Sequence, residues 1–232
     1  MTQLIQIFDD EKWTELSVNE INNYVLDVCE KKGFCNFMLT GGSSAYLIYN
    51  FWADLISLDY PIYFYFGDER CVLPDDSESN YSMVKNSLFK HGIPSQFQVE
   101  RIYGEADDYE MEIKRYEAVL PNEMDVLLLS IGEDTHIASI FPGDTIIHKD
   151  KNRFALVKGS KPPNPRITIT PKFISTLGKI FCLARGNTKS DALNKVFKNT
   201  GNPKDFPAKL VVNCNWLIDK SAAEIMEKMN RS

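Results

Sequence analysis

The chain has 232 residues, 44% of them hydrophobic and 25% charged, with a formal net charge of −6. That length can bury a sizeable core without a structural metal or disulfides, and that composition excludes disorder for most of the chain. The acidic balance speaks against a nucleic-acid partner, because phosphate backbones are held by clustered Lys and Arg. The five cysteines, at 29, 35, 71, 182 and 214, show no CxxC or Cys/His spacing. Reduced thiols are expected, and neither zinc nor a disulfide framework. The N-terminal MTQLIQIFDDEKW has no basic n-region, and no apolar run is long enough to span a bilayer, so a soluble, cytoplasmic protein is expected.

In chain order, the pattern predicts a strand at Leu4–Phe8, a helix over Lys12–Lys31, a strand at Phe34–Thr40 and a helix over Ala45–Ile56. A strand at Ile62–Gly67, a helix over Tyr81–Phe89, a strand at Val99–Tyr103 and a helix over Tyr109–Leu120 follow. Next come strands at Met124–Ile131, Arg153–Val157 and Arg166–Thr170, a helix at Pro171–Thr176 and a strand at Lys179–Ala184. Helices over Lys189–Phe197 and Ala222–Met229 close the chain. Several strands are apolar on both faces, as buried parallel strands are. The alternation implies an α/β fold, a doubly wound and mostly parallel sheet with helices on both faces, as one domain over 1–232.

Ligands of such folds bind where the strands end, and four strand ends carry capable residues. Thr40-Gly41-Gly42-Ser43-Ser44 enters a helix; it is either a tight turn capped by Ser or an anion cradle of backbone N–H groups, Gly41, Gly42 and Ser43. Gly67-Asp68-Glu69-Arg70 places three charges after an aromatic strand, as a solvated loop or as a site built on Asp68 and Arg70. Gly132-Glu133-Asp134-Thr135-His136 follows the most apolar strand. His136, one of three histidines, is suited to base work near neutrality, whereas Asp134 or Thr135 could simply cap a helix. Lys161 and Arg166 flank a stiff Pro-rich loop, and Lys189 is expected in the first turn of a helix, where a cation opposes the dipole unless an anion is bound.

These blocks, in order, resemble one family. GGS at 41–43, GDERCV at 67–72, SNY at 79–81, GEDTHIASIFPG at 132–143, KPPNPRITIT at 161–170 and GNTKSDAL at 186–193 look like the signature blocks of 6-phosphogluconolactonases. FPAKLV at 206–211 and WLID at 216–219 resemble that family's C-terminal end. The DER triplet and the ASxFPG run are specific; GGS is not. The resemblance implies hydrolysis of the δ-lactone of 6-phosphogluconate in the oxidative pentose phosphate pathway, without metal or organic cofactor. It makes His136 the general base and places Arg70 at the reacting end. Asp68 would orient substrate or His136, with Asp134 in the same catalytic group. Gly41, Gly42 and Ser43, with Arg166, Lys189 and Lys161, would hold the phosphate.

The chain departs from the family's Asp-Gly-His at Asp134-Thr135-His136. If that position needs positive φ, Thr would cost roughly 1–2 kcal/mol. The nearest alternative is a glucosamine-6-phosphate deaminase/isomerase, which typically has DEY for this chain's DER and Asn-Glu-Pro within the Ser139-Ile140-Phe141-Pro142 region. A non-catalytic sugar-phosphate binder is the other, motivated by Thr135.

Overall fold

Cys35–Leu39 are all buried, and so are Val126–Leu129, as strands covered on both faces must be. In the computed structural model of the chain, which describes residues 4–57, 59–148, 152–198 and 200–230, these runs form the middle of a seven-stranded sheet. The strands are β1 (Leu4–Phe8), β2 (Cys35–Leu39), β3 (Ile62–Phe66), β4 (Asp68–Arg70) and β5 (Phe97–Glu100), then β6 (Val126–Ser130), β7 (Phe154–Val157), β8 (Arg166–Ile169), β9 (Lys179–Ala184) and β10 (Asn215–Asp219). The helices are α1 (Trp13–Lys32), α2 (Ser43–Trp52), α3 (Asn80–Lys85), α4 (Tyr109–Val119), α5 (Pro171–Thr176), α6 (Ser190–Phe197) and α7 (Lys220–Asn230).

The large sheet runs β1-β10-β9-β6-β2-β3-β5, and every neighbouring pair in it is parallel. The chain winds outward from β2 through β3 to β5. It then returns to the other side of β2 at β6, with Phe37 opposite Val126, and winds outward through β9 and β10. The direction of winding therefore reverses between β2 and β6, and the loops leaving their carboxyl ends diverge around a crevice. Strand β10 was not among the expected elements; its apolar centre, Trp216–Ile218, is too short to stand out from its polar flanks.

The runs at 153–157 and 166–170 do not join the parallel sheet. They are β7 and β8 of a separate antiparallel sheet of order β4-β8-β7. Gly67 is the seam between the sheets: its N–H donates to the Leu39 carbonyl of β2, and its carbonyl accepts from Ile169 of β8. The Asp-Glu-Arg triplet is thus a strand, not a solvated loop.

Helix α1 buries Trp13, Val18, Ile21, Val25 and Val28 at helical spacing and ends at Gly33, whose φ of +81° closes the last turn onto Cys29. Trp13 Nε1 donates to the Leu217 carbonyl, anchoring the helix to β10. An aromatic cluster of Phe37, Trp52, Phe64, Phe89 and Phe97 fills the core beside β3. Two buried tyrosines secure strand ends. The Tyr49 hydroxyl accepts from the Thr40 N–H and donates to its carbonyl, and Tyr116 does the same for Phe66. Backbone groups leaving a ladder in a dry interior need such partners, and both strand ends lead into the crevice loops.

Candidate active site

The crevice is an open cleft of about 600 Å³ lined by residues of all the strand-end blocks, among them Gly41, Gly42, Ser43, Asp68, Arg70, His136, Arg166 and Lys189. Asn80, Ser130 and Ala138 complete its wall. Of the residues singled out in the sequence, Lys161 and Asp134 do not line it; they stand behind His136.

One wall is the start of α2. Gly42 takes φ +101°, ψ 162° at the N-cap, no side chain caps the helix, and no acid lies in its first turn. The expected serine cap is therefore not made, and the first N–H groups, with their positive dipole end, are left for an acceptor. Gly41 is required by packing: a Cβ there would lie 2.0 Å from Asn80 Oδ1.

His136 sits in a tight turn that begins at Gly132. The Gly132 N–H donates to the His136 carbonyl at 2.8 Å, and a Cβ on Gly132 would come 2.0 Å from His136 Nδ1. The imidazole stacks on Phe141, ring centroids 4.8 Å apart, and its Nδ1 pairs with Asp134 Oδ1. Lys161 Nζ lies 3.2 Å from Asp134 Oδ2. Burial opposes the charge on Asp134, but the His136 and Lys161 contacts outweigh it and hold the carboxyl well below the usual range. With Nδ1 donating to a carboxylate, the imidazole is left with Nε2 as a free acceptor. Thr135 adopts φ +74°, so this position does need a left-handed residue, and its buried Oγ1 has no partner among the described residues.

Arg70 faces the same cleft from β4. Its Nη1 donates to the Glu78 carbonyl and lies 3.6 Å from the Glu78 carboxylate, while its buried Nε has no partner among the described residues. Arg166 is more heavily engaged: Nε donates to the Pro163 carbonyl, Nη2 to the Lys161 and Pro162 carbonyls, and Nη1 to Ser139 Oγ. Those bonds take four of a guanidinium's five N–H groups, so Arg166 is mainly a wall of the cleft. Burial and then the charge of Arg70 push its pKa down.

Three placements differ from expectation. Asp68 was expected to orient substrate or His136; its carboxylate instead accepts from Ser139 Oγ at 2.6 Å and Asn80 Nδ2 at 3.3 Å, and Asp134 is the residue that orients His136. Lys161, expected at the phosphate, is half-exposed and paired with Asp134. Lys189 lies in a 3-10 turn, Asn187–Lys189, just ahead of α6 rather than inside its first turn. It is shielded enough for burial to lower its pKa, and its ion-pair partner among the described residues, Glu133, stands 3.8 Å away. Asn80, Ser139 and Phe141 were not predicted, although SNY and ASxFPG contain them. No cluster of three or more His, Cys, Asp or Glu suited to a metal occurs among the described residues.

A family model described as glucosamine-6-phosphate isomerases/6-phosphogluconolactonase matches residues 9–218. This chain belongs to that family. It is similar to the 6-phosphogluconolactonase of Haemophilus influenzae, 34% identical over an alignment of 175 residues that covers 71% of this chain and 74% of that protein. Among solved structures it is similar to the 6-phosphogluconolactonase of Thermotoga maritima, with 26% identity, TM-score 0.82, and coverage of 94% of this chain and 99% of that one. A monomeric glucosamine-6-phosphate deaminase also superposes, at TM-score 0.79 over 97% of this chain and 100% of that one. Its 23% identity shows a shared fold alone. The fold is thus common to both branches of the family, and the side chains of the cleft have to separate them. Among the described residues no helix is long and apolar enough to cross a membrane.

Proposed function

We propose that this chain hydrolyses 6-phospho-D-glucono-1,5-lactone to 6-phosphogluconate, with His136 as the base. The observation that carries the mechanism is His136, held from behind by Asp134, lining one cleft with Arg70 and the uncapped start of α2. The phosphate sits on the N–H groups of Gly42 and Ser43 with Lys189 beside it, which leaves the lactone carbonyl between His136 and Arg70.

His136 Nε2 takes a proton from water as the water oxygen bonds to the carbonyl carbon. The carbonyl becomes an oxyanion, which Arg70 stabilises. Collapse of this intermediate breaks the bond to the ring oxygen, and His136 returns the proton to that oxygen, leaving a hydroxyl and a carboxylic acid that ionises. A base in position contributes about 10²–10⁴-fold, and a preorganised oxyanion contact roughly 3–4 kcal/mol. A lactone is already reactive, so these two effects and a phosphate handle for positioning suffice. The residues used need no metal or organic cofactor.

The deaminase reading is disfavoured by Arg70 in the DER triplet and by Phe141 stacked on His136. A cytoplasmic, single-domain enzyme over 1–232 with reduced thiols is part of the same proposal. The test is decay of fresh lactone in parallel with ammonia release from glucosamine 6-phosphate. Lactone decay alone supports the proposal; ammonia release alone replaces it with the deaminase.

A further inference from the structure

Glu69 points away from the chemistry and is 3% exposed, yet its carboxylate is the most heavily engaged in the molecule's active-site wall. Oε1 accepts from the N–H groups of Arg70 at 2.8 Å and Asn80 at 2.7 Å. Oε2 accepts from Ser79 Oγ at 3.0 Å and the Tyr81 N–H at 2.8 Å. Ser79 also caps α3, its hydroxyl accepting from the Ser82 N–H. The chain between Arg70 and Ser79 is therefore a loop whose two ends are tied to one carboxylate.

What hangs on those ends is the cleft. Arg70 and Asp68 flank Glu69 on β4. Asn80 Nδ2 donates to the Asp68 carbonyl at 2.8 Å and reaches its carboxylate, while Asn80 Oδ1 fills the space over Gly41. We propose that Glu69 is a positioning residue of the active site: its buried carboxylate fixes Arg70, Asp68 and Asn80 relative to one another by joining β4 to the start of α3. This role rests on the lactonase reading above for its effect on rate.

The tether is made of acceptor atoms only, so it needs the charged form. Burial opposes that form most, with Asp68 adding to the effect against three backbone N–H donors, and the carboxyl is pushed up to about 7. Arg70 next to it, Arg166 from β8 and Cys71 are the other titratable groups around it. Protonation turns one accepting oxygen into a donor that faces donors, which loosens the tether as pH falls.

The experiment compares the wild type with Glu69→Gln, whose amide NH2 also turns donors toward donors. Lactone hydrolysis across pH and amide hydrogen exchange are both measured. The variant is expected to lose about tenfold to a hundredfold in kcat, because displacement of about 1 Å at a reacting group can cost about a hundredfold. KM should move by less than about threefold, since the start of α2 and Lys189 are untouched. The acid limb of log(kcat/KM) should be shallower in the variant than in the wild type, by the one proton that Glu69 no longer takes up. The Asn80 and Tyr81 amides should exchange faster in the variant. Wild-type kcat with an unchanged acid limb would overturn the proposal. If the wild type itself does not hydrolyse the lactone, the lactonase reading fails, and exchange alone then decides the tether, unchanged rates at Asn80 and Tyr81 overturning it. Should Glu69→Gln not fold, Ser79→Ala removes a single donor; a several-fold fall in kcat supports the tether and none overturns it.

Discussion

Asp134 and His136 pair through Oδ1 and Nδ1 across a single intervening residue, so one turn of chain both holds the imidazole and selects its tautomer. That turn is tied down at each end. Gly132 donates to the His136 carbonyl, and the Ala208 N–H donates to the Thr135 carbonyl.

Replacing Asp134 by Asn removes the carboxylate that accepts from Nδ1 and lets the other tautomer form. We expect kcat to fall by about 10²–10⁴-fold, the range a positioned base supplies, with KM nearly unchanged. Stability should change by less than about 1 kcal/mol, because Lys161, the partner left behind, is half-exposed. Steady-state kinetics with thermal unfolding checks both; a variant with wild-type kcat would remove Asp134 from the mechanism.

Thr135 is strained and still present. A β-branched residue at φ +74° costs roughly 1–2 kcal/mol, and its buried, unpartnered hydroxyl adds about 1–3 kcal/mol. Against this stand the extra chain entropy of Gly, about 0.5–1 kcal/mol, and the lost packing of a small side chain. Thr135→Gly should therefore raise the melting temperature by about 2–4 °C per kcal/mol gained, without loss of activity. A lower melting temperature would show that Thr135 packs better than its backbone suggests.

Gly132 is held small by the imidazole. A Cβ there would lie 2.0 Å from His136 Nδ1 and 2.8 Å from Asp134 Oδ1, and the pair is already in contact. Gly132→Ala should displace the ring, lower kcat by about a hundredfold and leave the rest of the fold intact by circular dichroism. Full activity would mean that the ring has another working position.

Stability and activity should respond to pH in opposite senses through Glu69. Its carboxyl rises from an ordinary 4.5 to about 7 on folding, so folding takes up a proton between those values. The stability this contributes is present below about pH 4.5 and is lost as pH rises through 7, on the order of 3 kcal/mol at most. Asp134 acts the other way, but only in stronger acid, because its carboxyl is depressed. Urea unfolding at pH 5 and pH 7.5 should show the fall in the wild type and its absence in Glu69→Gln. An equal fall in both would assign it to another group.

Much of the fold was legible because β2, β3, β6 and β9 are apolar on both faces and each is followed by a polar block. The same feature drew attention to the blocks 40–44 and 132–136, but the pattern alone fits a helix cap at 132–136 equally well, and the family resemblance is what singles out His136. The Asp68–Arg70 strand was not legible as a strand: three charges carry no strand signal, and its pairing with β8 lies about a hundred residues downstream. For the same reason Ser139, 71 residues from the Asp68 it holds, escaped notice. Lys161 looked like a phosphate ligand because sequence gives charge but not reach, and its ammonium is spent on Asp134.

The most direct measurement is the decay of freshly generated 6-phosphogluconolactone at neutral pH, with wild type and His136→Ala compared against buffer. The wild type should accelerate decay and His136→Ala should lose about 10²–10⁴-fold of that acceleration. A wild type no faster than buffer, or a variant as fast as the wild type, would contradict hydrolysis by His136.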